Sequence, residues 1–187
     1  MITYTTSTST DELLAILRLQ QANHAAALTP DQLKSQGFVT VKHTYDELRK
    51  LNDLENHIIA KDGDQVIAYI LAMTAKSRFD LPILIPMFEV FDRIRYAGKA
   101  IAAYSYLVVG QVCVAQAYRG QGILESCYAT YKEHFKNKYD FAITEIATTN
   151  LRSLNAHKRI GFERIHTYTS PDHTKWHIVL WDWGSKD

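Results

Sequence analysis

The segment Val112-Cys113-Val114-Ala115-Gln116-Ala117-Tyr118-Arg119-Gly120-Gln121-Gly122-Ile123-Leu124 constrains the fold more than any other stretch of the chain. Tyr104 to Val114 is long and β-branched, as a central strand requires, and it leads through two glycines into residues with helical spacing. A strand feeding a glycine-bearing helix start presents unpaired backbone N–H groups and the positive end of a helix dipole, which together make an anion site. Gly120 and Gly122 remove Cβ atoms that would keep a pyrophosphate from the backbone, and Arg119 adds a full positive charge. Taken alone, Arg-Gly-x-Gly is equally a tight strand-to-helix turn. The spacing excludes a Walker loop, which needs Gly-Lys-Ser/Thr, and offers two glycines where a dinucleotide fingerprint wants three.

The elements around this segment alternate between helix and strand, which predicts a mixed α/β class, α+β-like in its sheet. Ile2 to Thr5 reads as a strand. Ser9 and Glu12, then Thr44 and Glu47, have capping-box spacing ahead of apolar residues at helical intervals, so helices are expected to about Ala27 and over Leu48 to Leu54. Thr29-Pro30-Asp31 reads as a break, and Gly37 to Val41 as loop or edge strand. His57 to Lys61 and Gln65 to Met73 form a hairpin about Asp62-Gly63-Asp64. Met87 to Arg95 reads as a covering helix. Beyond the glycines, a helix from Gly122 to Asn137, a strand from Phe141 to Thr148, a helix from Arg152 to Ile160, and strands from Phe162 to Tyr168 and Lys175 to Asp182 are expected.

The chain has 187 residues with no repeat or Gly/Ser linker, so residues 1–187 are expected to form one domain. Its 21 basic and 20 acidic side chains are mixed along the sequence, which argues against a nucleic-acid partner or an anionic membrane. The start of the sequence lacks the pattern of a signal peptide, and no apolar run is long enough to span a bilayer. A reducing cytoplasm is therefore the expected compartment. Cys113 and Cys127 read as buried thiols, and the eight histidines show no metal spacing, so no metal is expected.

A second motif lies downstream, Asn150-Leu151-Arg152-Ser153-Leu154-Asn155-Ala156-His157-Lys158-Arg159-Ile160-Gly161-Phe162. With the first it resembles the GNAT superfamily of acyl-CoA-dependent N-acetyltransferases. That family's central motif is a strand followed by Arg/Gln-x-x-Gly-x-Gly/Ala at a helix start, and its next is Asn-x-x-Ala/Ser-x-x-x-Tyr/His-x-x-x-Gly-Phe. Arg119 and Gly122 match the first two positions, Leu124 replaces the usual small residue at the third, and Gln116 stands where many relatives carry Pro. The two motifs span about Val108 to Ile165.

The resemblance implies a twisted mixed sheet of about six to seven strands with helices on both faces. It also implies acetyl-CoA as donor and an amine as acceptor, joined in direct attack without an acyl-enzyme. It places Val112, Cys113 and Val114 along the pantetheine arm, where a backbone N–H could meet the oxyanion, and Arg119, Gly120, Gln121, Gly122, Ile123 and Leu124 around the pyrophosphate. Asn150 and Ser153 resemble cofactor contacts, although helix capping alone also accounts for both. His157 stands at the position of the general acid, with a buried or surface histidine as the other reading. Glu145, on a strand, could accept the amine's proton or else face solvent. A non-catalytic acyl-CoA sensor with the same fold is the alternative. Trp181 and Trp183 on the last strand could pair across a homodimer.

Overall fold

Two capping boxes begin the helices of the first half. In the computed structural model, which describes residues 1–35 and 38–184, Ser9 and Thr44 accept from the backbone N–H of Glu12 and Glu47, whose carboxylates return bonds to the cap backbone. The chain runs β1 (Ile2–Thr6), α1 (Thr10–Asn23), α2 (Pro30–Ser35), α3 (Tyr45–Leu54), β2 (Ile58–Asp62), β3 (Gln65–Thr74) and α4 (Ile85–Arg93). It continues through β4 (Arg95–Tyr96), β5 (Lys99–Ala100), β6 (Tyr106–Val114), α5 (Ile123–Phe135), β7 (Phe141–Ala147), α6 (Leu151–Ile160), β8 (Glu163–Thr169) and β9 (Lys175–Asp182). Seven strands form a mixed sheet in the order β1-β2-β3-β6-β7-β9-β8.

Several boundaries move from their sequence expectations for local reasons. Helix α1 ends at Asn23 rather than near Ala27, because Val39 pairs with His24 in an isolated bridge and turns the chain away. Thr29 starts a helix instead of only ending one: its hydroxyl accepts from Gln32 N–H and Gln32 returns the bond, with Pro30 in the first turn where its missing N–H costs nothing. Gly37, within the segment expected as loop or edge strand, lies outside the described residues. The hairpin β4–β5 was not foreseen. Ala97 and Gly98 turn it with φ of 43° and 84°, and Ala is a poor signal for such a turn.

The residues group into two compact units, residues 1–73 with 109–134, and residues 74–108 with 135 onward. In the first unit Leu13 and Ile16 of α1 pack with Leu48, Ile59, Tyr69, Leu71 and Cys113. A polar network crosses this core. Gln20 Oε1 accepts from the His43 backbone N–H at 2.8 Å, which fixes the amide so that Gln20 Nε2 donates to His43 Nδ1 and to Gln111 Oε1. Tyr69 donates to the same Gln111 oxygen at 2.6 Å, and Gln111 Nε2 donates to Val41 O. His57, also buried, accepts from Ala72 N–H at Nδ1 and donates to Leu48 O.

In the second unit β9 pairs antiparallel with both β7 and β8, and β6 pairs parallel with β7 through Tyr106–Phe141 to Val108–Ile143. Phe91 of α4 packs edge-on to Tyr106, which stacks on Phe141, so α4 covers that face. Trp181, of opposite register parity, meets Gly161 and Phe162 at the end of α6 on the other face. Among the described residues no helix is long and apolar enough to cross a membrane.

Burial holds the two core histidines of the first unit neutral, with pKa values lowered to about 4 for His43 and about 3 for His57. The unfolded chain takes up these protons near pH 6.5, so each contributes stability that is complete above that pH and is lost as pH falls toward its folded value. Imidazole resonances followed by NMR are expected to show both rings neutral at pH 5; midpoints near 6.5 would contradict their burial.

Candidate functional site

The candidate residues occur in both units, and each set is built by its own neighbours. In the first, β6 ends at Val114 and the chain passes Ala115, whose N–H reaches Ile67 O, into a short 3-10 turn over Gln116–Tyr118. Tyr118 pins that turn by donating to Asp62 at 3.0 Å. Gly120 and Gly122 then adopt φ of 76° and 75°, a region that only glycine enters at low cost. The first intrahelical bond of α5 runs from Ser126 N–H to Gly122 O, so the N–H groups of Ile123 and Leu124 precede any helical acceptor. Ile123, Cys127, Tyr128, Tyr131 and Phe135 are buried at helical spacing, which fixes the axis of α5 while its start stays at the surface. Gly120, Gln121 and Gly122 are exposed, and a Cβ at either glycine would meet open space. This is an open, glycine-bearing backbone at the positive end of a 13-residue helix, a setting that suits a pyrophosphate.

Arg119 does not extend outward from this loop. Its Nε donates to Val114 O at 3.0 Å and its Nη2 to Asn23 Oδ1, so the guanidinium lies along the end of β6. Cys113 is buried with its thiol pushed up to about 12 by desolvation, which leaves no thiolate for nucleophilic work. Val112 and Val114 are half-buried along the same strand, and Leu124 half-buried in the first turn of α5.

In the second unit Glu145 is half-buried on β7 and accepts a hydrogen bond from the Tyr168 hydroxyl of β8. Desolvation, opposed by that bond, raises its carboxyl to about 7. Tyr168 was not singled out by sequence. It lies 23 residues away, and only the pairing of β8 and β7 with β9 between them sets it on the face of Glu145.

Asn150 caps α6, accepting from Ser153 N–H at 3.3 Å, so the capping reading of both residues is realised. His157 is buried and stands one turn on. Its Nδ1 lies 2.8 Å from Ser153 O; a carbonyl only accepts, so the ring proton is on Nδ1. The ring meets Phe162 edge-on, and burial lowers its pKa to about 4. His157 thus belongs to the Phe162–Trp181 side of the sheet, whereas Glu145 pairs with Ile178 and faces the other side. The two cannot act on one atom. Among the described residues no group of three or more His, Cys, Asp or Glu could hold a metal ion.

The profile of the Acetyltransferase (GNAT) family matches residues 25–162. The chain belongs to this family. It is an acetyltransferase. None of the curated proteins compared matches the sequence. Among solved structures, Ard1 from Thermoplasma volcanium is 12% identical with a TM-score of 0.67 over 99% of both chains. Arabidopsis thaliana NAA60 in complex with acetyl-CoA is 12% identical with a TM-score of 0.66, over 97% of this chain and 99% of that one. The ribosomal-protein-S18-alanine N-acetyltransferase from Escherichia coli is 12% identical with a TM-score of 0.65, over 100% and 97%. These likenesses show that the GNAT acetyltransferase carries the fold of these three structures across its whole length.

The glycines give a test of the local geometry. Gly161 has φ of 118°, and a Cβ there would lie 2.9 Å from Trp181 Nε1, whereas Gly122 has positive φ with open space above it. Gly122→Ala is expected to cost about 1–2 kcal/mol from backbone conformation alone, and Gly161→Ala roughly twice as much. Urea unfolding checks this; equal losses would contradict the contact with Trp181.

Proposed function

We propose that this acetyltransferase moves the acetyl group to a primary amine by direct attack, without an acyl-enzyme. One observation carries the proposal: Glu145, a carboxyl held near neutrality beside the Tyr168 hydroxyl. An alkylamine with a pKa near ~10 is mostly protonated at pH 7 and must lose a proton before it can attack. A carboxyl of pKa about 7 is a far better acceptor for that proton than an ordinary one, and its charged form attracts the ammonium beforehand. Acetyl-CoA, when bound, supplies the thioester carbonyl that is attacked and the thiolate that leaves.

The backbone N–H groups from Gly120 to Leu124 hold the pyrophosphate in this reading, with the Arg119 charge alongside. Val112, Cys113 and Val114 line the pantetheine arm, and a backbone N–H among them faces the carbonyl oxygen as negative charge develops there. Asn150 and Ser153 serve the donor mainly by fixing the start of α6. His157 is given the return of a proton to the thiolate. That role is costly, since charging the buried ring at pH 7 takes about 4 kcal/mol.

The pH dependence follows from the direction of the Glu145 shift. The base form exists only above its raised pKa, so kcat/KM should rise through an apparent pKa near 7. Glu145→Gln should lower kcat about 100-fold and remove that inflection. A wild-type profile in the variant would exclude Glu145 as the base. For His157→Phe, a kcat about 100-fold lower with an unchanged melting temperature supports the proton donor; full turnover with a lower melting temperature assigns the ring to packing.

A further inference from the structure

Asn23 is buried at the last position of α1, an environment where an amide is costly unless each polar atom finds a partner. Its Nδ2 donates to Leu19 O at 2.8 Å, which fixes the amide and turns Oδ1 toward Arg119 Nη2. Its backbone carbonyl accepts from Val39 N–H at 3.1 Å. Arg119 is held by Asn23 through Nη2 and by Val114 O through Nε, and a planar guanidinium fixed at these nitrogens has one orientation.

We infer that Asn23 is a positioning residue for the donor loop, acting through Arg119 to hold the chain where it enters Gly120. The inference rests on the reading of residues 119–124 as the pyrophosphate site. The physical reason lies in the two glycines. They permit the curved backbone that the anion needs, and for the same reason they leave the free loop many conformations to lose on binding. A side chain anchored immediately before Gly120 removes part of that loss in advance, so affinity rises without a new contact to the ligand. Anchoring at the end of α1 also ties the loop to the segment around Val39, where the chain leaves that helix.

The test is a double-mutant cycle in coenzyme A binding, measured by calorimetry, with melting temperatures recorded for each variant. Asn23→Leu keeps the branched shape and heavy-atom count of the side chain and removes the acceptor for Arg119 together with the donor to Leu19 O; it is expected to weaken binding about tenfold, the scale of one hydrogen bond to a charged group. Arg119→Met should weaken binding as well. In the Arg119→Met background, Asn23→Leu should add nothing. A role confined to packing predicts instead the same loss in both backgrounds, and that result overturns the inference, as does an Asn23→Leu protein that binds within twofold of wild type. If Asn23→Leu does not fold, Asn23→Ser takes its place in the cycle with the same expectations. Failure of the wild-type protein to bind coenzyme A sinks the pyrophosphate reading together with the inference; wild-type binding with an unaffected Asn23 variant sinks the inference alone.

Discussion

An amide buried in an apolar core has to fill its hydrogen-bonding sites from the protein, and Gln111 on β6 does so from three directions. Its oxygen takes Gln20 of α1 and Tyr69 of β3, and its nitrogen reaches Val41 in the segment after α2. Each bond is directional in a way that leucine packing is not, so sliding β6 by one residue would strand several buried polar atoms at once. The register of β6 sets where Val114 ends, and hence where the glycine turn begins. The start of the glycine turn therefore depends on this interior network as well as on the Tyr118–Asp62 and Arg119–Asn23 contacts.

The two units use burial for opposite ends. In the first, desolvation keeps His43 and His57 neutral, so that His43 accepts from Gln20 and His57 accepts from Ala72 N–H and donates to Leu48 O. In the second, desolvation lifts Glu145 to about 7, and the Tyr168 hydroxyl tempers that rise. The chemical consequence differs because a neutral histidine is inert where it sits, while a carboxyl balanced near neutrality exchanges its proton readily. Burial lowers the His157 ring as it does the first unit's pair, with its Nδ1 proton engaged by Ser153 O and its ring against Phe162.

Local signals were legible in the sequence, and distant ones were not. Both capping boxes, the Asp62-Gly63-Asp64 turn, the strands about β9 and the glycine loop are written within a few neighbouring residues, and the structure has them. The end of α1 was misplaced because its stop is made by Val39, 15 residues further on and across an unrelated stretch of sequence. The β4–β5 turn was missed because alanine occupies a left-handed position. At the candidate site the loop was readable from its residue types, whereas Tyr168 beside Glu145 and Asn23 beside Arg119 exist only as tertiary contacts, the latter 96 residues apart. A capping box in Thr29 to Gln32 was present in the sequence but hidden by Pro30, which reads as a break and serves as the first residue of a helix.

We propose above all that the backbone amides of Gly120 to Leu124, at the entry to α5, receive the donor's pyrophosphate. A titration of the isotopically labelled protein with acetyl-CoA, followed through its backbone amide resonances, tests it most directly. Saturable shifts are expected, largest at Gly120, Gln121, Gly122, Ile123 and Leu124. Saturation of the protein with those five resonances unmoved would contradict it.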